Sequence, residues 1–166
     1  KAGPGIEGTN VAMNTPRQPI TILMADDDPD DRLMARDAFA ECALPNPLRF
    51  AEDGEELMAY LHRMGRYADQ GAYPTPGLIL LDLNMPRKDG REALREIKAD
   101  PELREIPVVV LTTSKAEEDV ANSYSDGANS FITKPVSFAA LIEVVQTLGK
   151  YWLQIVDLPP VGHPAK

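Results

Sequence analysis

Cysteine, histidine and long apolar runs are scarce in this sequence of 166 residues. Cys42 is the only cysteine, so an intrachain disulfide framework and a cysteine-rich zinc site are both excluded. No apolar run approaches the roughly 20 residues that a membrane-spanning helix needs, and the N-terminus lacks the layout of a signal peptide. We therefore expect a cytoplasmic protein that does not contact a membrane.

Basic charge is also limited, because 17 Lys and Arg residues stand against 26 Asp and Glu residues and the net charge is −9. The sequence has no dense run of Lys and Arg, so we do not expect the basic face that nucleic-acid binding requires. The hydrophobic share of 43% and the charged share of 26% are typical of a globular protein, and the length suits one domain.

The ends of the chain differ in composition from its centre. Residues 1–19 combine Gly, Pro, Asn and Thr without periodicity, and we expect a disordered lead there. Whether Met13 is the natural start is left open. The lead contains a G-x-G-x-x-G spacing, but this spacing indicates a dinucleotide site only between a strand and a helix, so we reject that interpretation. We expect one folded domain over residues 20–153 and a tail over residues 154–166.

Short apolar segments alternate with capped helical segments through this domain. The predicted strands are residues 21–25, 48–51, 78–82, 108–112 and 129–133. The predicted helix N-caps are Asp28, Asp53, Asp89 and Ser114, and the last helix is predicted to start at Ser137. The third and fourth strands are apolar on both faces, which is typical of a parallel sheet covered by helices on each side. The sequence therefore predicts an α/β fold with five strands and five helices.

Polar residues stand at the carboxyl ends of four predicted strands. They are Asp26 and Asp27 after the first, Asp82 at the end of the third, Thr112 at the end of the fourth and Lys134 after the fifth. In doubly wound sheets the functional crevice lies at these ends. A buried carboxylate without a partner costs several kcal/mol, so we expect Asp82 to face this crevice and to have partners there.

The carboxylates of Asp26, Asp27 and Asp82 would repel one another in such a crevice. At a separation of ~4 Å and an effective dielectric constant of ~20, each like-charge pair costs about 4 kcal/mol. Mg²⁺ would relieve this repulsion because it prefers oxygen ligands, and the ammonium group of Lys134 would offset more charge. An aspartate, a magnesium ion, a hydroxyl group and an ammonium group together are suited to receiving a phosphoryl group.

The same residues resemble the receiver domain of bacterial two-component response regulators. The resemblance rests on Asp26-Asp27, on the segment DLNMPRKDG that begins at Asp82, on Thr112-Thr113-Ser114 and on Thr133-Lys134-Pro135. It extends over residues 20–153. It implies a flavodoxin-like, doubly wound parallel sheet with the strand order 2-1-3-4-5.

The resemblance also implies a metal site and an acceptor. Asp82 would be the phosphoacceptor and a ligand of Mg²⁺. Asp27 would bind Mg²⁺ directly, Asp26 would bind it through water, and Asn84 would contribute its backbone carbonyl.

Three further positions receive a role from the resemblance. Thr112 would be a switch hydroxyl that turns toward the phosphoryl group, and Lys134 would contact the phosphoryl oxygens across a cis bond to Pro135. Phe131 would be the aromatic partner in the switch, although plain core packing remains an alternative for this side chain.

A closer resemblance is to the single-domain regulators that accompany phytochrome-type histidine kinases. It rests on the long loop 65–76, on the stretch ELREIPVVVLTTS and on Tyr151-Trp152-Leu153. It implies a sensor histidine kinase as partner, and a homodimer through the fourth helix, the fifth strand, the fifth helix and this C-terminal extension. Whether Trp152 belongs to the core or to the interface is left open.

A calcium-binding loop is a weak alternative for the acidic segment. Asp26, Asp28 and Asp30 fit the first, third and fifth positions of an EF-hand loop, but Asp31 replaces the glycine of the sixth position and a strand precedes the loop. We interpret Asp28, Asp30 and Asp31 as an acidic helix start that favours the helix dipole.

An enzyme is the rival from a different functional class. Phosphatases of the haloacid dehalogenase type use a D-x-D motif whose second aspartate is the general acid and base. Here the segment is Asp82-Leu83-Asn84, so that acid is absent. We therefore expect a phosphoacceptor signalling protein rather than an enzyme.

Overall fold

The computed structural model describes residues 19–113 and 116–155, without the side chains of Glu117 and residues 153–155. Five parallel strands form one sheet in the order β2-β1-β3-β4-β5. The strands are β1 (Ile22–Ala25), β2 (Leu48–Ala51), β3 (Leu78–Leu81), β4 (Val108–Thr112) and β5 (Ser130–Thr133). The predicted strand order is confirmed, and each predicted strand agrees with the structure to within one residue at either end.

Five α-helices connect and follow the strands. They are α1 (Pro29–Glu41), α2 (Gly54–Leu61), α3 (Gly90–Ala99), α4 (Glu117–Ser125) and α5 (Phe138–Leu148). A short 3₁₀ helix, Gly65–Ala68, lies in the loop before β3, and a π-helix, Gly149–Ile155, continues α5. None of the described helices is long and apolar enough to cross a membrane.

Three of the four predicted helix caps are confirmed, and the helix predicted from Ser137 begins there, with Ser137 as its N-cap. The carboxylates of Asp28, Asp53 and Asp89 accept hydrogen bonds from the first-turn amides of α1, α2 and α3, and the hydroxyl of Ser137 does the same for α5. The prediction for α4 is wrong. Its N-cap is Ala116, which makes no side-chain capping bond because it has no side-chain acceptor, and Ser114 lies outside the described residues.

The core consists of two apolar layers, one on each face of the sheet. Alternate residues of β1, β3 and β4 contribute to opposite layers, because successive side chains of a strand point to opposite faces. One layer packs against α2 and α3, and the other packs against α1 and α5. All four residues of β3 are buried, which confirms the prediction that this strand is covered on both faces.

The chain ends lie mostly beyond the described residues. Residues 1–18 of the expected lead (1–19) and residues 156–166 of the expected tail (154–166) fall there, whereas residues 154 and 155 belong to the π-helix. The ring of Trp152 is half-buried and packs against the layer formed with α1 and α5, whereas Tyr151 is 53% exposed beside it. The side chain of Leu153 is among those not described.

Candidate functional site

Three carboxylates meet at the carboxyl edge of the sheet. Asp26 and Asp27 follow β1, and Asp82 follows β3. One carboxylate oxygen from each residue lies within 4.8 Å of the other two. Asp26 and Asp82 are buried and Asp27 is exposed, so the group opens to solvent on one side. The prediction that these three carboxylates lie close together is confirmed.

Asp82 is a buried carboxylate with partners for both oxygens. Its Oδ1 accepts hydrogen bonds from the Thr112 hydroxyl at 2.8 Å and from the Asn84 backbone N–H at 3.0 Å. Its Oδ2 accepts from the Lys134 ammonium group at 2.8 Å. Buried polar groups are normally satisfied in this way, and these contacts hold the Asp82 carboxylate in one orientation.

Lys134 lies at the centre of a carboxylate cluster. Its Nζ is 2.6 Å from Asp26 Oδ2, 2.8 Å from Asp31 Oδ2 and 2.8 Å from Asp82 Oδ2. Burial by itself lowers the pKa of the lysine, but the contacts with these three carboxylates outweigh burial and raise the pKa above its ordinary value. Lys134 therefore keeps its positive charge at neutral pH.

Asp26 is the least satisfied member of this cluster. Its Oδ1 accepts from the Asp28 backbone N–H at 3.0 Å. Its Oδ2 is buried and forms only an ion pair with Lys134, because the contact does not have the geometry of a hydrogen bond. Burial raises the pKa of Asp26, and Lys134 and the Asp28 amide oppose this rise. A buried oxygen with spare acceptor capacity beside other carboxylates suits a hard divalent cation.

The loop between β3 and α3 packs tightly against the end of β3. A side chain at Gly90 would place its Cβ 2.1 Å from the backbone carbonyl oxygen of Asp82, so only glycine fits there. Arg87 in the same loop has a φ of 67°, a left-handed conformation that glycine adopts at lower cost. The loop thereby fixes Asn84, whose N–H contacts Asp82.

Sequence reasoning missed two contacts at this edge. The sequence predicts Asp31 only as part of an acidic helix start, yet its carboxylate contacts Lys134 directly. Its place in the first turn after β1 was the only available signal. Arg91 of α3 forms a bidentate pair with Asp119 of α4, with distances of 2.8 and 2.7 Å. That pair joins residues 28 positions apart, and no local pattern indicates it.

The resemblance implies a cis bond after Lys134 and a role for the aromatic ring of Phe131 in β5. The bond between Lys134 and Pro135 is trans, so the cis bond implied by the resemblance is wrong for this structure. The trans form is also the general preference of such bonds. Phe131 is half-buried against the layer formed with α2 and α3, and its backbone N–H donates to the Tyr124 hydroxyl at 3.1 Å.

Comparison with known proteins identifies the family. Residues 22–146 match the family model described as the response regulator receiver domain. The chain belongs to this family. Response regulator Rcp1 of Synechocystis sp. is 42% identical over 141 residues, which are 85% of this chain and 94% of Rcp1. The receiver-domain assignment and its flavodoxin-like fold are therefore confirmed.

Solved structures of relatives share the fold. A structure described as the Mn²⁺-bound form of Rcp1 has a TM-score of 0.77 and covers 86% of this chain and all of that one. The phosphorylated cyanobacterial phytochrome response regulator RcpA is 41% identical, with a TM-score of 0.80 and the same coverage. RPA3017 of R. palustris, described in red light signalling, is 36% identical with a TM-score of 0.81, covering 86% of this chain and 99% of that one. This receiver is related to phytochrome response regulators.

Proposed function

We propose that this protein is a single-domain response regulator that receives a phosphoryl group on Asp82 from a histidine kinase. The observation that carries the proposal is the Asp82 carboxylate itself. It lies at the end of a fully buried strand, beside two other acids, and is oriented by Thr112, Lys134 and the Asn84 N–H. A carboxylate fixed in this way, with an ammonium group in contact, suits phosphoryl transfer because that reaction depends on positioning and charge neutralisation.

The acidic group fits a Mg²⁺ ion. Asp26, Asp27 and Asp82 would supply carboxylate oxygens, and Asn84 would supply its backbone carbonyl. Support comes from the close spacing of the three carboxylates and from the buried Asp26 Oδ2 that lacks a hydrogen-bond donor. The ion would neutralise charge on the carboxylates and on the incoming phosphoryl group. The structure described as the Mn²⁺-bound form of Rcp1 shows that a relative binds a divalent cation.

The transfer is a displacement at phosphorus. An oxygen of Asp82 forms a bond to phosphorus while the bond between phosphorus and the donor histidine nitrogen breaks, and that nitrogen leaves with the bonding electron pair. Lys134 remains protonated, because its pKa is raised, and donates hydrogen bonds to the phosphoryl oxygens. The product is an acyl phosphate on Asp82.

A change of contacts at Thr112 would transmit the signal. The Thr112 hydroxyl donates to Asp82 Oδ1 before transfer and would turn to a phosphoryl oxygen afterwards, because this group brings up to about two negative charges. The shift would reach β5, where Phe131 is hydrogen-bonded to Tyr124 of α4. Phosphorylation would thus bias an existing equilibrium between two arrangements of this face, and the output would be altered protein contacts.

The donor would be a phytochrome-type sensor kinase. The support is the similarity to RcpA and RPA3017, which are described in phytochrome and red light systems.

A homodimer would form through α4, β5, α5 and the extension at Tyr151, Trp152 and Leu153. Tyr151 and Trp152 pack edge to face, with ring centroids 5.1 Å apart, and present aromatic surface at the end of α5.

We expect Trp152→Ala to weaken self-association about tenfold or more, as loss of an interface aromatic typically does. Sedimentation velocity over a concentration series measures this, and Glu55→Ala, at an exposed position of α2, is the control. Unchanged association of Trp152→Ala would remove this residue from the interface.

Intact mass after incubation with Mg²⁺ and a small phosphodonor tests the central step. Acetyl phosphate and phosphoramidate, which carries the phosphorus–nitrogen bond of phosphohistidine, serve as donors. We expect one phosphoryl adduct on the unmodified protein and on the control Asp37→Asn, which removes an exposed aspartate of α1. We expect none on Asp82→Asn or without Mg²⁺. An adduct on Asp82→Asn would contradict the proposal, and rapid turnover of a phosphate ester would favour the phosphatase class.

A further inference from the structure

The ammonium group of Lys134 already has as many carboxylate partners as it has protons. It offers three N–H donors and no acceptor. It donates hydrogen bonds to Asp31 and Asp82 at 2.8 Å and forms an ion pair with Asp26 at 2.6 Å, so three carboxylates surround its nitrogen. A phosphoryl group on Asp82 therefore competes with these carboxylates for the ammonium group, and a close contact with it displaces one of them.

The three carboxylates differ in how easily water can replace the lysine. The side chain of Asp26 is 1% exposed, that of Asp82 is 7% exposed, and that of Asp31 is 31% exposed. Asp31 also lines, with Lys134, a small open pocket between α1 and α5. Losing a charged partner is costly for a buried carboxylate and much less costly for one that water reaches. Asp31 is therefore the contact that Lys134 can release at the lowest cost.

We propose that Asp31 is a positioning residue that acts through Lys134. It holds the ammonium group on the α1 side of the crevice before transfer and is the partner that Lys134 gives up when a phosphoryl group arrives. The inference rests on the proposed function and deepens it. Asp31 stabilises the unphosphorylated state, so its charge sets how readily the site accepts and retains a phosphoryl group.

Beryllofluoride binding measures this competition without the complication of hydrolysis, because the BeF₃⁻ unit on an aspartate oxygen has the tetrahedral shape of a phosphoryl group. We expect Asp31→Asn to bind beryllofluoride about fivefold more tightly than the unmodified protein, the order of magnitude of a partly exposed ion pair. Calorimetric titration at Mg²⁺ concentrations that saturate each variant gives the affinities.

Two variants separate the contact with Lys134 from the general effect of charge. Asp30→Asn removes the same charge from the same helical turn, but Asp30 is exposed and not among the partners of Lys134, so we expect a change well below that of Asp31→Asn. Asp31→Glu keeps the charge, so it should bind beryllofluoride with an affinity near that of the unmodified protein. Asp31→Ser, which removes the charge by a different side chain, should repeat the result of Asp31→Asn.

Each outcome bears on the proposal. Tighter binding by Asp31→Asn and Asp31→Ser alone supports it, because a merely structural role would leave the affinity unchanged or weaken it. Equal affinities of Asp31→Asn and Asp30→Asn, or weaker binding by Asp31→Asn, overturn it while the proposed function stands. Failure of the unmodified protein to bind beryllofluoride would instead contradict the proposed function, and the inference with it.

Discussion

The two helices that flank β5 are attached to the rest of the molecule in different ways. Helix α5 buries Leu141, Val145 and Leu148 in the apolar layer shared with α1. Among the described side chains of α4, only Ser123 is buried. Helix α4 is instead held by polar contacts, among them the bidentate pair between Arg91 and Asp119. One helix is anchored by the core and the other by charges and hydrogen bonds.

This difference indicates which helix can respond to a charge placed on Asp82. A new charge nearby changes apolar packing little, whereas a charged side chain can leave one ion pair and form another. Arg91 also lies 3.4 Å from the backbone carbonyl of Leu83 and from the side-chain oxygen of Asn84, so it contacts the loop next to Asp82 as well as α4. Weakly packed elements are the ones that move in regulation, and α4 has this character.

The comparison is tested most strongly by the same substitution in each helix. Val145 of α5 is 1% exposed, whereas Val120 of α4 is half-buried. We expect Val145→Ala to lower the free energy of unfolding by about 2 kcal/mol, because it removes buried methyl groups and leaves a cavity. We expect Val120→Ala to lower it by about 0.5 kcal/mol. Urea unfolding measures both, and equal losses would contradict the difference in anchoring.

A smaller effect is expected for the ion pair that holds α4. A double-mutant cycle on Arg91 and Asp119 should give a coupling energy of about 1 kcal/mol, because the pair is bidentate and partly buried. Contact with Asp119 also raises the pKa of Arg91, which is consistent with a favourable pair. Hydrogen exchange should show faster opening of α4 in Arg91→Ala while α5 is unchanged.

The pair between Arg95 and Asp126 is the matched control for this cycle. It also joins α3 to the end of α4, but its distance is 3.4 Å and Arg95 is 58% exposed. We expect no measurable coupling there, as is common for exposed ion pairs. A coupling as large as that of Arg91 and Asp119 would show that surface charge in general, and not this contact, holds α4.

The sheet could be predicted closely because its strands are short, apolar and bounded by turn residues. Segments such as 78–82 and 108–112 are apolar on both faces, a pattern that favours a central parallel strand. The convergence of Asp82, Thr112 and Lys134 followed from their positions at strand ends, since the carboxyl ends of parallel strands share one edge. The cap of α4 could not be predicted in the same way, because Ser114 and Glu117 matched a capping pattern that the helix does not use.

Contacts between charged side chains that are far apart in the sequence could not be predicted from it. Asp31 lies among five acids in six residues, and nothing local separates it, with its contact to Lys134, from the exposed Asp28 and Asp30. Arg91 and Asp119 are each ordinary charged residues of a helix start, and only the packing of α3 beside α4 brings them together. Local sequence patterns predict helices and strands and where they end. The partners of long charged side chains depend instead on how distant helices and strands pack together.

The most direct test of the account is to locate the phosphoryl group. The protein is phosphorylated with a small donor and Mg²⁺, reduced with sodium borohydride, which converts an aspartyl phosphate to homoserine, and digested for peptide mass mapping. We predict homoserine at position 82 and unmodified aspartate at positions 26, 27 and 31. Homoserine at any of these three positions, with Asp82 intact, would contradict the assignment of Asp82 as the phosphoacceptor.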